Sequence, residues 1–165
     1  MIFIHRLGWF IGLVLFQVLV FNHVHIYEYA TPVLYIYFVF SLNAAVGRKA
    51  LLLWAFFLGL AVDVFSNTPG VNACACTLFA FFRPFILRTQ TVRDMTDDFY
   101  PSISTMGFSH YLRYVLIGTF VLVGTIQLIE TFSFLRWGSL CLKIVTGTFV
   151  SVIGILCIDS MRRKK

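Results

Sequence analysis

The sequence predicts an all-α integral membrane protein: one domain over residues 1–165, a bundle of about six transmembrane helices. Three observations predict it. Hydrophobic residues make up 59% of the chain and charged residues 12%, against roughly 45–50% and about 25% in an average soluble domain. A chain of 165 residues has too little interior to hide that surplus, and the mean hydropathy is +0.88. The apolar runs are continuous, whereas the strands of a membrane barrel alternate apolar and polar residues. These features exclude a soluble globular enzyme, a disordered chain and a disulfide-rich secreted module.

A membrane helix needs about 20 residues, with a range of roughly 17–25. The apolar runs predict spans over 7–21, 31–46, 50–65, 71–87, 111–129 and 138–158. The first has no small-x-small cleavage site after it and reads as a retained helix. The second is short and opens with Pro32, which suits a first helical turn. Asn67-Thr68-Pro69-Gly70 marks a tight turn between the third and fourth.

Lys and Arg set the orientation. Arg6, Arg48, Lys49, Arg88, Arg93 and the tail Arg162-Arg163-Lys164-Lys165 fall on one side. Arg136 alone falls on the other, with Lys143 a short way into the sixth span. The positive-inside rule then puts both termini in the cytoplasm. The formal charge of +6 follows from topology and lipid head groups, with no nucleic acid required. The loop at about 88–110 is cytoplasmic and holds Asp94, Asp97 and Asp98; the basic tail covers 159–165.

Few residues carry chemistry. Asp63 is an acid inside the third span, where it costs a few kcal/mol and faces the bundle interior or water. It either meets a partner or caps the following turn. Lys143 lies at a matching depth, so one expectation is an Asp63–Lys143 ion pair; the other is that Lys143 snorkels to the head groups. Arg83 precedes Pro84, whose ring should kink the fourth helix and free carbonyls; Arg83 either reaches them or snorkels inward. Gly8-x-x-x-Gly12, Ala55-x-x-x-Gly59 and the series Gly147, Ser151, Gly154 permit close helix contact, within the bundle or with another protein's helix. Glu28 and Glu130 lie on the outer side, where a partner's periplasmic domain could meet them. His23-x-His25 with Glu28 lacks a fourth metal ligand. The four cysteines have neither redox nor zinc spacing. No metal, cofactor or catalytic residue is predicted.

The segment Gly59-x-x-x-Asp63-Val64-Phe65-Ser66-x-x-Pro69-Gly70-Val71-Asn72 resembles the rod shape-determining protein MreD family. In that family a glycine-rich apolar helix ends in Asp and Ser, followed by a Pro-Gly type turn and another apolar helix. The resemblance implies a non-enzymatic scaffold in the bacterial inner membrane. Such a subunit binds the single-pass protein MreC and links MreB filaments to the RodA glycosyltransferase and its transpeptidase. The matching positions are Gly59, Asp63, Ser66, Pro69, Gly70 and Asn72, shaping the third-to-fourth helix hairpin. The family is also similar in fold to the substrate-binding S components of energy-coupling-factor vitamin transporters. The alternative is therefore a solute-binding S component, with Asn43, Asp63, Asn72, Gln127 and Lys143 lining an outer pocket.

Overall fold

A computed structural model describes residues 8, 10–15, 17, 18, 32–90, 99–130 and 137–162. Its regular elements, in chain order, are α1 (Tyr37–Ser41), α2 (Arg48–Ser66), α3 (Val71–Gln90), α4 (Ile103–Met106), α5 (Phe108–Glu130) and α6 (Trp137–Arg162). An N-terminal helical stretch precedes them, with residues 8, 10–15, 17 and 18 described. Among the described residues there is no strand. Four helices are long and apolar enough to cross a membrane: α2, α3, α5 and residues 140–161 of α6.

Packing runs in sequence order around the bundle, α2 on α3, α3 on α5, and α5 on α6. Each long helix is buried on one stripe only. On α2 the stripe is Leu51, Ala55, Leu58, Val62 and Asp63, a three-to-four residue period that keeps one face inward. Its other face presents Leu53, Phe56, Phe57, Leu60 and Val64. Such a broad apolar exterior suits lipid or another apolar partner rather than water.

The second expected span is not a continuous helix. Residues 32–34 have no regular structure, 35–36 form a turn, and helix resumes only for the five residues of α1. Every residue from 32 to 40 is buried. Non-helical backbone at membrane depth is tolerated only where protein covers it and supplies hydrogen bonds, and here side chains supply them. Gln17 Nε2 donates to the Pro32 carbonyl at 2.8 Å, and Gln17 Oε1 accepts from Leu34 N–H at 3.0 Å. The Val33 N–H donates to Ser151 Oγ at 2.9 Å. The run Val33–Phe40 therefore forms the axis of the core, with α3, α5, α6 and the N-terminal stretch around it. Phe40 sits between Phe79 and Tyr114, at ring separations of 4.7 and 5.0 Å, and Phe38 meets Phe10 and Trp54.

Small residues make room for this axis. A side chain at Gly118 would collide with Phe40 and Phe79, and one at Gly154 with Leu34. The series Gly147, Ser151, Gly154 thus packs internally against Val123 and the axis. At Gly8 and Gly12 a Cβ would meet none of the described residues within 4 Å, and both glycines are exposed.

Candidate functional site

The segment that carries the family resemblance forms the hairpin between α2 and α3. The turn is built from two left-handed positions. Asn67 has φ 55° and donates its N–H to the Asp63 carbonyl; Gly70 has φ 85°. Both are residue types that adopt such angles readily. Gly70 directly precedes the first residue of α3.

Asp63 is 3% exposed and caps the second helix from within the first. Its Oδ1 accepts from the Asn72 N–H and from Asn72 Nδ2, both at 2.9 Å, and from Thr68 Oγ1 at 3.0 Å. Its Oδ2 accepts from the Ala73 N–H at 2.9 Å. The first N–H groups of a helix have no intrahelical acceptor and carry partial positive charge. A carboxylate aimed at two of them is stabilised without any cation. Gly59, one turn before Asp63, allows the approach: a Cβ there would run into the backbone of Asn72 and Ala73. The Asn72 carbonyl oxygen Oδ1 in turn accepts from Tyr35 Oη at 2.7 Å, which ties the hairpin to the core axis.

No ion pair joins Asp63 to Lys143 among the described residues, and the hydrogen bonds of Asp63 go to Thr68, Asn72 and Ala73. This corrects the expected pairing: the helix terminus of α3 supplies the positive pole that Lys143 was expected to provide. Lys143 is half-buried on α6, and Glu130 is exposed at the end of α5.

Arg83 differs from expectation as well. It is the largest fully buried side chain, at 2% exposure. Its Nη2 donates to the carbonyls of Phe40 (3.3 Å) and Leu42, and its Nε donates to Tyr114 Oη at 2.9 Å. The carbonyls it reaches close the C-terminal end of α1, not the one freed by Pro84 in its own helix. A five-residue helix leaves most of its carbonyls without intrahelical donors, and the guanidinium fork fits two of them at once.

At the opposite end from the hairpin, Asp159 is 6% exposed. It accepts from Tyr37 Oη at 2.9 Å and from the Ile103 N–H at 3.1 Å, pinning α4 to α6. Sequence reasoning assigned Asp159 to the basic tail and passed over Gln17, Tyr35 and Tyr37. The signal was Tyr35-x-Tyr37 inside an apolar run, since a hydroxyl in hydrocarbon needs a partner.

No protein-family model, no curated protein and no solved structure matches this chain. The arrangement of the polar residues therefore bears the functional argument. Of the set expected to line a solute pocket, Asn43 is set apart from Asp63 and Asn72. Asn43 lies at the loop end, where the neighbouring Ala44 N–H bonds to the Phe99 carbonyl; Asp63 and Asn72 are bound to each other at the hairpin end. Glu28, His23, His25 and the acids at 94, 97 and 98 lie outside the described residues.

Proposed function

We propose that the chain is a non-enzymatic, multi-pass scaffold of the bacterial rod complex, of the MreD type. It would lie in the inner membrane with both termini in the cytoplasm. There it binds the membrane helix and periplasmic region of MreC, and through MreC couples MreB filaments to RodA and its transpeptidase. One observation carries the reading. The residues of the resemblance, from Gly59 to Asn72, act together on a single hairpin, with Asp63 spent as the cap of α3. A polar group consumed in this way holds shape rather than binding a solute, which favours the scaffold over a solute-binding S component.

Two surfaces suit the partner. The exposed glycine face of Gly8 and Gly12 admits the close approach of a foreign helix. Glu130, exposed at the end of α5, offers a charged contact at one end of the bundle. Depletion of the chain from its native host tests the role: rods should round up, and rods that persist after complete loss contradict it.

A further inference from the structure

α2 and α3 run antiparallel from their shared hairpin, and their other ends meet as well. There the Arg48 guanidinium lies over the Phe85 ring, 5.6 Å from its centroid. Arg88 stands three residues beyond Phe85 on the same helix face, and Lys49 follows Arg48. All four side chains are exposed. One turn back along α3, Phe81 is exposed and its ring meets that of Phe85. The outer face of the hairpin thus carries a strip that is aromatic along its length and cationic at its end.

An aromatic ring attracts a cation over its face without using the cation's hydrogen bonds. Arg48 is therefore held in place with N–H donors to spare. Arg48 and Arg88 flank one ring, and like charges repel unless an anion lies between them. The acids among the described residues are engaged or placed elsewhere. Asp63 is at the hairpin, Glu130 at the far end of α5, and Asp159 is buried on α6 against Tyr37 and the Ile103 N–H.

We infer that this strip binds an anionic phospholipid, with its phosphate between Arg48 and Arg88 and an acyl chain along Phe85 and Phe81. Both arginines stand at the ends of helices long and apolar enough to cross a membrane, Arg48–Ser66 and Val71–Gln90. In a bilayer that is head-group height, and the rings beside them lie at the depth of the acyl chains. The guanidinium fork matches phosphate oxygens in pairs, and basic sites between membrane helices take anionic head groups in the same way. The head group must be negative overall, because phosphatidylcholine sets its own cation beside the phosphate.

The test is thermal unfolding of the full chain in neutral detergent, with phosphatidylglycerol or phosphatidylcholine at equal mole fraction, and with glycerol phosphate alone. Saturation by phosphatidylglycerol should raise the midpoint by roughly 5–10 °C above phosphatidylcholine. Arg48→Gln and Arg88→Gln should each remove at least half of that increment, and together all of it, with the midpoint in phosphatidylcholine unchanged. Arg113→Gln removes an exposed charge from α5, off the strip, and should keep the increment. Asp94, Asp97 and Asp98 follow Arg88 in the chain and lie outside the described residues; replacing all three by Asn should keep it too. The inference is overturned if phosphatidylglycerol raises the midpoint no further than phosphatidylcholine, or if Arg113→Gln loses as much as Arg88→Gln. It is equally overturned if glycerol phosphate alone gives the same rise, or if the rise appears only when the three acids are replaced.

Discussion

Asp63 and Asn72 are joined by two hydrogen bonds of 2.9 Å, one to the backbone N–H and one to the side-chain amide. The acid belongs to one helix and the amide to the first turn of the next. The pair thus sets the crossing of α2 and α3, and Tyr35 fastens that crossing to the core.

Asp63→Ala should lower unfolding stability by about 2–4 kcal/mol, the loss of a cap together with charge-assisted hydrogen bonds. Asp63→Asn keeps one acceptor oxygen and should lose less. Lys143→Asp combined with Asp63→Lys should be no better than Asp63→Lys alone, because the acid's partners are backbone amides. Chemical or thermal unfolding in detergent reads all three, and recovery in the charge swap would contradict the cap.

Gly59→Ala forces a methyl group into the backbone of Asn72 and Ala73. Overpacking of this kind costs roughly 1–3 kcal/mol. Gly124→Ala meets nothing within 4 Å and should change stability by less than about 0.5 kcal/mol. The contrast between the two midpoints is the check.

Arg83→Met preserves volume but leaves the Phe40 and Leu42 carbonyls and the Tyr114 hydroxyl without their donor. Hydrogen bonds to charged groups contribute about 1.5–3 kcal/mol each, so the folded yield should fall sharply. Tyr114→Phe removes only one of these three bonds and should cost about 1.5–3 kcal/mol, less than Arg83→Met. Size-exclusion profiles and unfolding midpoints of the two variants decide the order.

Gln17→Leu and Ser151→Ala each strip hydrogen bonds from the non-helical segment 32–34. An unsatisfied buried group costs about 1–3 kcal/mol. Both act on one short segment, so the double variant should deviate from additivity in a mutant cycle.

The long helices were legible because length and apolarity alone decide whether a helix can cross a bilayer. The hairpin was legible too, since Asn67, Pro69 and Gly70 are strong turn residues wherever they fall. The segment 31–46 was not. Its run of Val, Ile, Tyr and Phe is apolar enough for a helix, yet β-branched and aromatic residues favour it only weakly. What holds 32–34 non-helical are Gln17 and Ser151, 15 or more positions away in the chain. Local pattern carries no trace of such partners. Asp159 was hidden in the same way, a single acid beside four bases, whose partners Tyr37 and the Ile103 N–H lie 122 and 56 positions away.

The most direct test of the scaffold reading is affinity purification of the chain at native abundance from its own membranes, with the captured material identified by mass spectrometry. A single-pass protein with a periplasmic coiled coil should co-purify in near-equal amount, and Gly8→Leu with Gly12→Leu should reduce its recovery while the chain stays folded. A chain that purifies without such a partner and carries a tightly bound vitamin contradicts the account.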